Sequence, residues 1–442
     1  MFQRRSLLSV RSAGSQIAFR RFVSLTHKDP TPDTTSCNII KKEGANIISV
    51  YARYPVVAAK GEGSYLFDKE GRKYIDFTSG VAVTSLGHAH PEVARLAADQ
   101  CSKLVHSSNL FYNEPAIELS NVINNSLAKN SGIAGPTKIF FANCGTEANE
   151  TDLKFARRAA FEKYGEGKSQ IVYFNNSFHG RSLGSLSITA NPKYKRGFQP
   201  LLPDVVQAVY NDPASIEQFV NDNSTSAPGD PPEPGEGGIC PAKPEFLIAL
   251  RKACDKVGAS LIYDEIQCGL GRSGDLWAHS IVKDVDLQAF KIEFPPPDNG
   301  LPIEATIVSS KIAAEIHPGE HGSTFGGNPV ACRVGTFCVN ELGSSKILQN
   351  VRKQHKALTS RFDDFVAKYP NLIRGYAGRG LLLGLQFTEP PAKFIELARQ
   401  QGLLLLPGGN NNTRVLPSLN VKDEVIAKGL DIMESTLKAL SK

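Results

Sequence analysis

The stretch KIFFANCGTEAN, from Lys138 to Asn149, decides the fold. Lys138-Ile-Phe-Phe141 is a short apolar run of strand type. It passes through Ala-Asn-Cys-Gly-Thr into a helical pattern that runs from about Glu147 to Tyr164. A strand that feeds a helix through a short turn is the building unit of an α/β sheet. The same helix start exposes the N–H groups of Gly145 and Thr146, where the helix dipole favours an anion. Two readings stay open here: a phosphate cradle, or an ordinary N-cap in which Thr146 closes the helix.

Outward from this unit the alternation repeats. Gln170–Phe174 and Leu261–Asp264 read as strands, and residues 243–257 before the second read as a helix. Residues 92–104 and 115–129 read as helices, and SYLFDKEGRKYIDF (64–77) as two short strands around the turn Asp68–Gly71. Toward the C-terminus the order changes: helix 345–369, strand Leu381–Phe387, helix 391–401, strand Gly402–Leu406, helix 422–440. The fold class is therefore α/β with a mainly parallel sheet and a smaller α+β unit. The expected division is an N-terminal segment 29–85, a large domain 86–340 and a small domain 341–442. Two segments break the pattern. NDNSTSAPGDPPEPGEGG (221–238) offers no strand, and KIEFPPPDNG (291–300) holds three consecutive prolines, so both read as solvated loops.

The charge is uneven. Of 442 residues, 50 are Lys or Arg and 44 are Asp or Glu, a formal balance of +6. Arg4, Arg5, Arg11, Arg20, Arg21 and Lys28 carry that whole excess, and residues 1–28 contain no acid. An Arg- and Ser-rich, acid-free stretch with interspersed apolar residues reads as a mitochondrial transit peptide, residues 1–28. The remaining chain is neutral, which argues against a nucleic-acid partner, and no apolar run approaches the roughly 20 residues of a membrane span. The eight cysteines are scattered without C-x-x-C or paired zinc spacing, so no metal site is expected. G-x-x-x-x-G-K-[ST] is absent, and Gly378-Arg-Gly380 leads into a strand, so nucleotide binding is unsupported.

Three further motifs carry polar chemistry. Asp264 ends an apolar strand, where parallel sheets place their ligands, and could hold a proton on a ring nitrogen; it could equally be a turn residue. Ser323-Thr-Phe-Gly-Gly-Asn-Pro329 is a glycine-rich turn opening a helix. Phe178-His-Gly-Arg181 follows the strand at 170–174, and a lone His179 reads as structural.

Taken in order, GVAVTSLGHAHPEV (80–93), SNLFYNEP (108–115), FFANCGTEANE (140–150), FHGRSLGSLSIT (178–189), YDEIQCGLGRSG (263–274), LPIEATIV (301–308), STFGGNP (323–329) and RVLPSLN (414–420) resemble the class III, fold-type I pyridoxal-phosphate aminotransferases. The resemblance runs from about residue 37 to the end. It implies pyridoxal 5'-phosphate as cofactor and Lys291 as the Schiff-base lysine, with Lys283 the nearby rival. It implies Asp264 on the pyridinium nitrogen, Gln267 near the ring oxygen and Phe178 stacked on the ring. It places the phosphate on Gly145 and Thr146, with Thr324 reaching over from the second subunit of a homodimer. Arg181 and Ser323 are then expected on an N2-acetylornithine donor, and Arg414 on the carboxylate of the 2-oxoglutarate/glutamate pair, with Glu236 able to mask it. The implied setting is arginine biosynthesis in the mitochondrial matrix. Near Lys291 and Glu236 the chain departs from the family pattern, so a second reading stays open: an aminotransferase-like fold that binds without chemistry. A third is another ω-aminotransferase, such as one acting on ornithine.

Overall fold

The computed structural model describes residues 24–130, 136–221, 225–226, 237–282, 290–294 and 299–442. A four-stranded sheet runs in the order Thr137–Ala142, Glu304–Ser309, Phe290–Phe294, Leu261–Asp264. Glu304–Ser309 is antiparallel to both neighbours, while Leu261–Asp264 is parallel to Phe290–Phe294. A second sheet holds Gln170–Phe174 between Val205–Ala208 and Thr225–Ser226, all parallel. All four residues of Leu261–Asp264 are buried, as an apolar strand covered on both faces must be. The helix Gly145–Tyr164 supplies part of that cover and buries Ala148, Leu153, Phe155 and Ala156. The helix Pro244–Val257 leads back to the sheet, opening on a proline at its first position, where no intrahelical N–H is lost.

The C-terminal part is a four-stranded antiparallel sheet, in the order Ile373–Arg379, Leu382–Phe387, Asn412–Val415, Leu406–Gly408. Helices Ser345–Lys368 and Asp423–Leu440 back it and bury Leu358, Phe362, Phe365, Met433 and Leu437. The N-terminal strands Ala58–Glu62, Tyr65–Asp68 and Lys73–Asp76 form an antiparallel meander, and Leu403–Leu404 joins its edge in parallel. One apolar cluster runs through these parts and includes Phe77, Trp277, Val351 and Leu385. Within it Arg272 is fully buried, donating to the carbonyls of Leu381 (3.1 Å) and Pro417 (2.9 Å) and to Ser85 Oγ (3.3 Å). Those acceptors replace the water the guanidinium gives up.

Both segments read as loops need correction. Thr225–Ser226 pairs in parallel with Gln170–Ile171, so the Pro- and Gly-rich run does contribute a strand, two residues long. Phe290–Phe294 is an inner strand of the first sheet, not a loop. Its Phe-Lys-Ile-Glu-Phe sequence has the aromatic and β-branched residues that strands favour, and the prolines come only after it. Among the described residues no helix is long and apolar enough to cross a membrane, and no group of three His, Cys, Asp or Glu could hold a metal ion.

Candidate active site

The polar groups converge at the carboxyl ends of three strands: Thr137–Ala142, Gln170–Phe174 and Leu261–Asp264. Ligands of α/β sheets bind at such edges. Asp264, only 5% exposed, is the centre. Its Oδ2 accepts from His179 Nδ1 at 2.7 Å and from Asn149 Nδ2 at 3.3 Å, and its Oδ1 from the Ile266 N–H at 3.0 Å. Burial pushes the carboxyl up, but the bond and charge of His179, with the Ile266 and Asn149 donors, outweigh it and hold Asp264 below the usual carboxylate range.

The helix start lies against this acid. Cys144 is the N-cap and makes no side-chain capping bond, so Thr146 does not close the helix and the plain N-cap reading falls away. Asn149 Nδ2 also donates to the Gly145 carbonyl at 3.1 Å, tying the first turn to Asp264. A Cβ at Gly145 would stand 2.3 Å from Ile266 Cδ1, so glycine permits this approach. Gly180, at φ 129°, is equally tight: its Cβ would lie 2.3 Å from Thr146 Oγ1. Further along the same segment, Gln267 Oε1 is shut off from solvent and has no hydrogen-bond partner among the described residues.

The remaining predicted residues fall around this centre. Phe178 packs edge-on to Tyr194, and the Arg181 guanidinium lies 3.5 Å over the Tyr194 ring. Ser323 Oγ accepts from Asn143 Nδ2 (2.9 Å), whose other hydrogen goes to Glu147 Oε2 (2.7 Å). Thr324 is exposed, on the side where Asn109 Nδ2 donates to the Ser323 carbonyl. Arg414 stands apart on the C-terminal sheet, 7% exposed, with Nε donating to the Pro407 carbonyl. Gly237 and Gly238 pack against Gly409, Asn410 and Asn412 of that hairpin. Glu236 lies outside the described residues. Lys291 is described in its backbone alone: it pairs with Ile262 and Val308, while Glu293 stands opposite Asp264. Residue reading missed His179 and Asn149, whose side chains meet Asp264 across 85 and 115 positions of chain.

The loop that carries Ser323 and Thr324 gives a sharp test. A Cβ at Gly326 would lie 2.1 Å from the Phe141 carbonyl oxygen, a backbone atom that cannot turn aside. Gly326→Ala is expected to cost roughly 1–3 kcal/mol of stability and to displace the loop. Gly322→Ala, where nothing lies within 4 Å, is the control and stays within about 0.5 kcal/mol. Thermal melting, with a cofactor titration beside it, separates the two.

A buried acid tied through Asn149 to the uncapped start of a helix thus stands at the carboxyl edge of an α/β sheet. The class-III aminotransferase family model matches residues 48–437, and the chain belongs to that family. It is 94% identical over 442 residues, all of both chains, to a protein named probable acetylornithine aminotransferase, mitochondrial, of Schizosaccharomyces pombe. It is 42% identical to the mitochondrial acetylornithine aminotransferase of Neurospora crassa, covering 97% of this chain and 94% of that one. Among solved structures, N-acetylornithine aminotransferase from Stenotrophomonas maltophilia aligns at TM-score 0.75 and 30% identity, covering 91% and 99% of the two chains. Ornithine aminotransferase from Toxoplasma gondii aligns at TM-score 0.85 and 26% identity, covering 92% and 96%.

Class-III aminotransferases are pyridoxal-phosphate enzymes, and the residues present fit that cofactor. The uncapped N–H groups at Gly145 and Thr146 suit a phosphate. The buried Asp264 carboxylate suits a protonated ring nitrogen, and the orphaned Gln267 Oε1 suits a polar group at the ring edge.

Proposed function

We propose that the chain transfers the δ-amino group of N2-acetyl-L-ornithine to 2-oxoglutarate, giving N-acetyl-L-glutamate 5-semialdehyde and L-glutamate. The setting is arginine biosynthesis in the mitochondrial matrix. The observation that carries the chemistry is the Asp264 carboxylate, held ionised by His179 and tied through Asn149 to the start of the Gly145–Tyr164 helix. The substrate rests on the relatives at 94% and 42% identity.

When bound, pyridoxal phosphate supplies an electron sink for the amino-bearing carbon of the substrate. The chain's residues do the rest. Asp264 keeps the ring nitrogen protonated, and His179 keeps Asp264 ionised and in place. Gly145 and Thr146 hold the phosphate with their N–H groups. Gln267 fixes the ring edge, and Phe178 covers a ring face. Lys291 is assigned the covalent hold on the cofactor and the proton in transit at its Nζ. Arg181 and Ser323 take the acylated donor. Arg181 rests on Tyr194 without an ion pair among the described residues, leaving its planar fork available to a carboxylate. Arg414 takes the 2-oxoglutarate or glutamate carboxylate, and Glu236 is assigned to mask it while the ω-amino donor is bound.

A homodimer completes the reading. Thr324 is exposed, and Leu110, Phe111, Tyr112 and Phe325 present large apolar side chains to solvent. A second copy covering this face would bury them and bring Thr324 to its own phosphate site. The substrate test is a ranking. Acetylornithine is expected to exceed ornithine and 4-aminobutyrate in kcat/KM by about tenfold or more, the scale at which pocket contacts discriminate. The reverse order would assign the site to a free ω-amino acid.

A further inference from the structure

His27 and Lys28 belong by charge to the removable leader and Asp29 directly follows it, yet all three are built into the body of the protein. The His27 N–H donates to the Gln400 carbonyl at 2.9 Å, and His27 Nε2 to the Lys73 carbonyl at 3.0 Å. Its Nδ1 faces Thr26 Oγ1 at 2.7 Å, so the neutral ring uses both nitrogens. The ring packs edge-on to Tyr74 with centroids 4.5 Å apart. It sits where Gly402 lacks a side chain: a Cβ there would come within 2.8 Å of His27 Cε1. The next residue continues the contact, since the Lys28 carbonyl accepts from Arg72 Nη1. After it the Asp29 carboxylate pairs with Arg399, whose own side chain is only 5% exposed.

These three residues touch two parts of the molecule that are far apart in sequence. Arg72, Lys73 and Tyr74 belong to the N-terminal meander, whereas Arg399, Gln400 and Gly402 end the helix Ala392–Gln400 and lead into the strand Leu403–Leu404. That strand is itself the edge of the meander, pairing with Ile75 and Asp76. Residues 27–29 therefore fasten one more layer across the same seam. Their partners Arg399, Gln400 and Gly402 lie directly upstream of Leu405, whose carbonyl accepts from Tyr54, and of the Leu406–Gly408 strand that pairs with Arg414. A chain cut at or after Asp29 would leave a buried guanidinium without its carboxylate, a large loss for one cleavage.

We infer that maturation of the imported chain cuts on the N-terminal side of His27, and that His27–Asp29 stays as a clasp between the N-terminal meander and the C-terminal unit. This rests on the reading of the basic N-terminus as a mitochondrial leader, whose end then lies earlier than the charge boundary at residue 28.

The test is to express the full chain with a C-terminal tag in yeast, purify it from isolated mitochondria and define its N-terminus by mass spectrometry. A first residue between positions 2 and 27 is the expected result. A start at Lys28 or later overturns the clasp but leaves the leader in place. A start at Met1 overturns the leader and the maturation cut together. In parallel, recombinant chains starting at Thr26 and at Thr31 are melted. The shorter one is expected to melt about 5 °C lower or more, as leaving the buried Arg399 guanidinium without its carboxylate requires. Asp29→Asn and His27→Ala in the longer chain keep the test alive if the shorter one fails to fold; each is expected to lower the melting temperature by about 2 °C or more. Melting unchanged in both substituted chains overturns the clasp.

Discussion

Replacing Asp264 by Asn is expected to lower kcat/KM by about 10³-fold, with the fold intact. Asn keeps the shape but cannot carry the charge. In a site this dry the loss is large, because a charge opposite a protonated ring nitrogen is worth several kcal/mol where water cannot screen it, and each 1.36 kcal/mol is about tenfold in rate. The amide also meets His179 Nδ1, a donor now 2.7 Å from Oδ2, and must turn its oxygen toward it. The pH dependence follows from the same contacts. The Asp264 carboxyl is held below its usual range, so its ion pair is in place at any pH above the ordinary carboxylate range and is lost only as pH falls through the depressed value. Asp264 therefore contributes no activity limb between about pH 6 and 8. Steady-state kinetics and a cofactor titration on the variant check both points. A variant within tenfold of the parent would remove Asp264 from the chemistry.

The fold was largely legible because its signals are local. The strands Gln170–Phe174 and Leu261–Asp264 and the helices Pro244–Val257 and Ser345–Lys368 fall within one or two residues of their sequence reading. Elements held by partners were not legible. Ile373–Arg379 carries two glycines and reads poorly as a strand, yet it pairs along its length with Leu382–Phe387. Thr225–Ser226 forms against Gln170–Ile171 in the middle of a turn-rich run. The same holds for the site. Asp264 and Thr146 stand in motifs that announce a strand end and a helix start. His179 looks like any buried histidine until the fold carries it across 85 residues to Oδ2 of Asp264. Pairing of that kind is tertiary, and no period or turn residue marks it.

The proline-rich replacement around Lys291 leads to the second large effect. A class-III aminotransferase needs a lysine at its cofactor, and the segment offers Lys291 and Lys283, the latter outside the described residues. The register sets Lys291 opposite Ile262, two residues before Asp264, which is about 6.6 Å along a strand. It therefore lies on the neighbouring inner strand, two register positions from the acid. Borohydride treatment of the cofactor-loaded protein is expected to fix the cofactor on the peptide that contains Lys291. Lys291→Ala is expected to lose that label and to lower turnover by about 10⁴-fold or more, since the covalent hold and the proton carrier go together. Lys283→Ala should keep both. A label on Lys283 would transfer the role to it and mean that the strand Phe290–Phe294 serves the sheet alone. No label on either, with the cofactor still bound and no turnover, would leave a protein that keeps the family's pocket and has given up its reaction, and the departure from the family pattern near Lys291 would be the reason.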